Sequence, residues 1–222
     1  MIDQGKPSEL LKYILEIKQS SIDRRLPSLK VLSDEMGVSI TSLREQLEVA
    51  KMLGLVDVKP RKGISLNNYS FKPAIWESLS YAIKLKPKYF DDFFDLRMHV
   101  EKSYWHQAVS KLENEDKLEL QELMKDAWKK LQGNPARIPH QEHRKLHLGI
   151  YKRLDNTFVI GILGAYWDAY EAEGLNIVTD YDYLKNVWNY HQRLVDCICD
   201  NKLDEGYEIL AEHFELLYQR PE

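Results

Sequence analysis

Residues 26–66 read LPSLKVLSDEMGVSITSLREQLEVAKMLGLVDVKPRKGISL, and the order of features in this stretch decides the fold. Leu26-Pro27-Ser28 forms a turn whose serine can cap a helix at Leu29. Leu29, Leu32 and Met36 recur at helical spacing, and Gly37 stops the helix. Only Val38 separates that stop from Ser39, a second cap. The next helix carries Leu43, Leu47 and Ala50 inward and stops at Gly54. Two helices joined by so short a Gly-containing turn form a helix-turn-helix pattern. Leu55-Val56-Asp57-Val58 and Ile64-Ser65-Leu66 read as two short strands around the basic turn Lys59-Pro60-Arg61-Lys62-Gly63, a hairpin wing. A helix from Lys6 to Lys18, with Leu10, Leu11, Ile14 and Leu15 on one face, completes a three-helix core.

The second helix of the pair has a polar outer face of Thr41, Ser42, Arg44, Glu45 and Glu48. Hydroxyls at its start, from Ser39, Thr41 and Ser42, suit phosphate contacts, and an Arg one turn on can pair two acceptors of a guanine. Lys59, Arg61 and Lys62 of the wing suit backbone phosphates or the minor groove. A charged helix face alone is usually a solvated face. The specific signal is the order helix, tight turn, helix, basic hairpin.

These residues resemble the winged helix of GntR-type bacterial transcription regulators, through Leu26-Pro27-Ser28, Gly37-Val38-Ser39, Leu43-Arg44-Glu45, Gly54-Leu55-Val56 and Pro60-Arg61-Lys62-Gly63. The resemblance implies DNA-reading positions at Lys30, Ile40, Thr41, Arg44 and the wing around Gly63. Two of them depart from the family pattern. Lys30 stands where an Arg is common, and Ile40 stands where an Arg is usual, which implies an operator other than the commonest one of the family.

The chain has 222 residues and a net charge of −4, which argues against non-specific nucleic-acid binding by the whole molecule. The charge is uneven: Met1 to Leu66 holds 11 Lys and Arg against 9 Asp and Glu, the remainder 20 against 26. No signal peptide opens the chain and no apolar run approaches membrane-spanning length, so a cytoplasmic protein without membrane contact is expected. Cys197 and Cys199 stand two apart on a helical pattern and point to different faces, so free thiols are expected.

The polar run Asn67 to Pro73 marks a boundary, giving a winged domain over 1–68, a connector over 69–73 and a second domain over 74–222. The second part shows no strand pattern. Trp76, Leu79 and Ile83 mark a short helix, and Phe93, Leu96, Val100, Tyr104, Ala108 and Leu112 a long one. Further helices are expected from Asn114, over Ile138 to Leu154, from Phe158 to about Gly174, over Tyr183 to Cys199 and over Leu203 to Tyr218. The fold class is mainly α: an N-terminal winged helix-turn-helix, then an all-α antiparallel bundle of six or seven helices.

Chemistry in the second part rests on histidines. His143 and His147 lie four apart on the face that continues through Ile150 and Leu154. His191 is in phase with Val187, Leu194 and Ile198, and His213 with Ile209 and Leu216. A single inward histidine is more often a hydrogen-bonded core residue than a ligand. Four from three helices are costly to bury without partners, and one divalent ion satisfies them together. Imidazoles suit zinc, nickel, copper or iron, with zinc or nickel foremost.

This part resembles the FCD ligand-binding domain of the FadR-like subgroup, which often holds a metal with one Asp and three His. His147, His191 and His213 match the three histidine positions, and His143 occupies the Asp position. Arg97 and Glu101, four apart on the long helix, form at minimum an exposed helix salt bridge. In similar domains the Arg reaches the effector pocket, which implies a small organic acid bridging Arg97 and the metal. Tyr166, with Trp167 and Tyr170, can line such a pocket, although an aromatic stripe is more often core.

The residues admit two function classes. One is a homodimeric DNA-binding regulator, commonly a repressor, that binds a pseudo-palindromic operator and responds to a ligand. The other is a metal-dependent enzyme. Four histidines leave no open coordination position, Glu142 is rotated off their face, and no H-E-x-x-H is present. The regulator reading leads; a regulator with no effector and a structural metal stands as its variant.

Overall fold

The computed structural model describes residues 8–20, 24–172 and 180–216. Two compact units divide the chain, Met1–Glu77 and Ser78–Glu222.

The first unit holds α1 (Glu9–Ser20), β1 (Arg25–Leu26), α2 (Leu29–Met36), α3 (Ile40–Met52), β2 (Val56–Lys59) and β3 (Gly63–Leu66). Local chemistry sets these bounds. Ser28 caps α2 by accepting from Val31 N, and Gly37 ends it at φ 66° in the left-handed region. Ser39 caps α3 by accepting from Ser42 N at 3.2 Å. Leu32, Leu43, Leu47 and Ala50 close the core with Leu10, Ile14, Val56, Ile64 and Leu66. Leu15 departs from the expected inward face of α1 and is exposed. Lys6, expected at the start of α1, lies outside the described residues.

The wing is a three-stranded sheet in the order β1-β3-β2, not a lone hairpin. β1 pairs antiparallel with β3 through Arg25↔Ser65 and Leu26↔Ile64, and Leu66 N donates to Arg24 O at 2.7 Å. Two residues carry no readable alternation, so β1 escapes a period-two search. It matters because isolated hairpins are marginal in water, and a third strand braces the wing.

The stretch expected as a connector already turns helical: α4 runs Lys72–Leu85. Pro73 lies in its first turn, where a missing N–H and a fixed φ are tolerated.

Every regular element among the described residues of the second unit is a helix: the end of α4, α5 (Lys88–Val109), α6 (Asn114–Leu131), α7 (His140–Tyr151), α8 (Thr157–Ala172), α9 (Tyr181–Cys199) and α10 (Leu203–Glu215). α7 is shorter at both ends than the pattern over Ile138 to Leu154. Gly174 and Tyr218, expected helix ends, lie outside the described residues. α8 is mostly apolar and largely buried, with Asp168 and Glu171 turned to Arg144, and it packs against α5 and α7. α5 also packs against α7 and α10, and α9 runs along α10. The phase of α5 differs from the expected stripe. Phe94, Met98, Trp105, Ala108 and Val109 are buried, while Leu96 is 44% exposed. The inward stripe includes Arg97 and Glu101, which a hydrophobic count assigns to solvent. Trp105 Nε1 donates to Leu203 O at 2.8 Å and ties α5 to the start of α10. Both cysteines are free thiols. Among the described residues no helix is long and apolar enough to cross a membrane.

Gly54 gives a test of the first unit. Its φ is +69°, and a Cβ there would sit 2.5 Å from Pro73 Cγ. Gly37 has φ +66° with nothing within 4 Å. Gly37→Ala is expected to cost about 1 kcal/mol, the left-handed penalty alone. Gly54→Ala is expected to cost roughly 1–3 kcal/mol more, from overlap with a rigid ring. Urea midpoints for both variants check the difference.

Candidate functional site

Two surfaces carry chemistry, one on each unit. On the first, Ser39 caps α3, and Thr41 and Arg44 are exposed one turn along the same helix. Lys30 is exposed on α2. Lys59, Arg61, Lys62 and Gly63 are exposed at the wing tip, where Arg61 has φ 63° and Gly63 φ 82°. Ser42 has a different post. It is half-buried, its Oγ accepts from Gln46 Nε2 at 3.1 Å, and Gln46 Oε1 accepts from Leu10 N at 2.9 Å. The pair docks α1 on α3.

In the second unit, α7 supplies His143 and His147, α9 His191 and α10 His213. One ring nitrogen from each lies within 4.8 Å of all the others. Three of the rings are fully buried and His143 is half-buried. His191 Nε2 and His213 Nε2 are 3.1 Å apart. This is the length of an N–H···N hydrogen bond, and it is also compatible with two nitrogens on one tetrahedral ion at about 2.0–2.1 Å, which lie about 3.3 Å from each other. His147 Nε2, His191 Nδ1 and His213 Nδ1 are buried with no hydrogen-bond partner among the described residues. Such orphaned atoms are costly in a core, and an ion held by the four rings would satisfy His147 Nε2. Burial holds all four imidazoles well below their ordinary pKa, with neighbouring rings or Arg97 adding to it. They are neutral, the form that ligates. The donor set therefore fits a divalent ion of borderline softness.

Behind the rings lies the Arg97–Glu101 pair, 2% and 0% exposed. The exposed helix salt bridge expected from the spacing is instead a buried one. Arg97 Nε donates to Glu101 Oε1 at 2.7 Å and Nη2 to Oε2 at 3.3 Å. Four aromatic rings surround the guanidinium: Tyr166 at 4.5 Å, Trp167 at 5.0 Å, Phe214 at 5.2 Å and Phe94 at 6.0 Å. Burial pushes the Glu101 carboxyl up, and the Arg97 charge opposes that shift. Burial pushes the Tyr166 phenol well above its ordinary value, with the Arg97 charge partly opposing, so the phenol stays protonated. His147 Nδ1 stands 3.0 Å from Arg97 Nη2 and 3.2 Å from Glu101 Oε2.

A cavity of about 40 Å³ adjoins this group, lined in part by Arg97, His143, His213, Tyr166 and Tyr170. It has room for a ligand of a few heavy atoms. Glu101 does not line it; it lies behind Arg97 and His147. His140 and Trp188 line it too and were missed from the sequence. His140 lies three residues before His143, on the same side of the helix, but as the first residue of α7 it has no preceding turn to mark its phase.

The FCD domain family matches residues 92–216, more than half of the chain. The structure of Streptococcus agalactiae GntR is similar, with 15% identity, 96% of each chain covered and a TM-score of 0.67. E. coli McbR/YncC is similar at 20% identity, with 96% of this chain and 99% of that chain covered and a TM-score of 0.52. Comparison with curated protein sequences gives no match. A winged helix-turn-helix followed by a helical FCD bundle defines a DNA-binding transcription regulator, not an enzyme. The chain belongs to the GntR-type regulators that carry an FCD domain.

The buried pair sets a measurable asymmetry. Arg97→Ala is expected to destabilise the metal-free protein by roughly 3–5 kcal/mol, because Glu101 is left charged and uncompensated. Replacing both residues by Met is expected to cost less than that single change. Denaturant titration of the three proteins checks the order.

Proposed function

We propose that the protein binds a pseudo-palindromic operator as a homodimer in the cytoplasm, represses from it, and is released by a small carboxylate. His143, His147, His191 and His213 hold one divalent ion, zinc or nickel. Arg97 and Tyr166 face the cavity where the carboxylate binds beside that ion. The observation that carries this reading is the convergence of four imidazoles on one another beside a small cavity that Arg97, His143 and His213 line. An anion is what such a set recruits.

Operator reading falls to α3 and the wing. Thr41 and Ser39 face phosphate, Arg44 takes a base edge, and Lys30, Lys59, Arg61 and Lys62 take backbone phosphates. The wing keeps Gly63 at its tip, where φ 82° admits the close approach of a backbone. The ligand acts by binding one arrangement of the dimer better than the other, so its effect on operator affinity is bounded by that difference.

A mobility-shift titration with promoter fragments tests this. Arg44→Ala is expected to weaken specific binding by about 1–3 kcal/mol, and Lys62→Ala to lower the salt slope by about 1. Elemental analysis is expected to give one ion per chain, lost in His147→Ala. A protein that retards no upstream fragment, or one that carries no ion, overturns the corresponding half of the reading.

A further inference from the structure

One nitrogen in the bundle has two claimants. His147 Nδ1 is 3.0 Å from an Arg97 N–H and 3.2 Å from a Glu101 carboxylate oxygen. Arg97 has only donors, and an ionised carboxylate has only acceptors. If Nδ1 offers its lone pair, it bonds Arg97, and the proton of the neutral ring lies on Nε2. If Nδ1 carries the proton, it bonds Glu101, and the lone pair lies on Nε2. The second form alone can ligate through Nε2, the buried atom without a partner. The two hydrogen bonds therefore report two tautomers of one ring.

We propose that Arg97 and Glu101 read the tautomer of His147, so that an ion taken at Nε2 turns Nδ1 from acceptor of Arg97 into donor to Glu101 and frees an Arg97 N–H for a carboxylate. The proton lost at Nε2 is regained at Nδ1 through solvent, so the ring stays neutral. Glu101 is then a positioning residue. It lies behind the ring, away from the cavity, and acts by holding the ligating tautomer and the ring plane. Arg97 is the link outward, because it both touches Nδ1 and lines the cavity. His191 and His213 lack this support, since their Nδ1 atoms have no hydrogen-bond partner among the described residues. Ion and acid sites are thereby coupled, and the coupling is reciprocal.

This deepens the proposed function and rests on the four-histidine ion site named there. The test uses the full-length protein, zinc as the ion and acetate as the carboxylate. Nitrogen-15 spectra of His147 are expected to show the proton on Nε2 without zinc and on Nδ1 with it. Zinc affinity, read by chelator competition, is expected to rise with acetate in the wild type. Glu101→Gln is expected to weaken zinc by about 10–100-fold and to abolish the acetate effect. Arg97→Met is expected to keep or raise zinc affinity while losing the acetate effect. A merely structural role for the pair would lower zinc affinity in both variants, and that result overturns the proposal. So does a His147 proton that rests on Nδ1 with and without zinc, a measurement that needs no variant. Stoichiometric zinc binding that is blind to acetate and to Glu101→Gln sinks this inference alone. Absence of zinc binding sinks the ion site with it.

Discussion

A guanidinium that is 2% exposed governs the interior of the helical unit. Arg97 cannot shed its proton there, so it needs an anion within reach. Glu101, one turn along α5, supplies it in a bidentate fork. That requirement fixes the rotation of α5, since both residues must point inward together. It leaves Leu96 on the outside and sets Phe94, Tyr166, Trp167 and Phe214 around the charge. It also sets what α7 can present. His147 faces the fork edge-on, and Tyr151, one turn later, donates to the Glu101 backbone carbonyl at 2.9 Å. The α5–α7 contact is polar and directional where most of the core is not.

The two units were legible in the sequence to different degrees, and the reason is physical. The winged unit is specified locally. Ser28, Gly37, Ser39 and Gly54 mark ends by capping and by left-handed φ, which depend on neighbours in sequence. Those signals gave helix ends to within a residue. β1 was missed because its order comes from β3, forty residues on. The bond of Ser42 to Gln46 was unreadable for a similar reason, since Gln46 turns to Leu10 of another helix.

The bundle site was legible only where its residues follow the apolar stripe. His147, His191 and His213 sit in phase with aliphatic neighbours, so their inward aim could be counted. Arg97 and Glu101 sit in phase with Phe94, Met98 and Trp105, but two charges interrupted the stripe and moved the count by one residue, onto Leu96. Burial of a charge pair is a tertiary fact: it depends on Tyr166 and Trp167 from α8, which no window along α5 contains. The resemblance to FCD domains supplied the role of Arg97, but Glu101 behind the ring became apparent only from the distances.

A His at position 143, where the resemblance to FCD domains implies an Asp, bears on the electrostatics of the site. Four imidazoles, all held neutral by burial, contribute no negative charge. Arg97 and Glu101 cancel each other. A divalent ion placed among them would carry its full charge into a region shielded from water, where opposite charges attract far more strongly than in solvent. An Asp ligand would have neutralised part of that charge from within. Without it, a compensating anion would be drawn from the adjoining cavity, whose walls include Arg97, His143 and His213. A site with four neutral ligands would therefore favour an anionic guest over a neutral one, and the small volume of the cavity would confine that guest to a few heavy atoms.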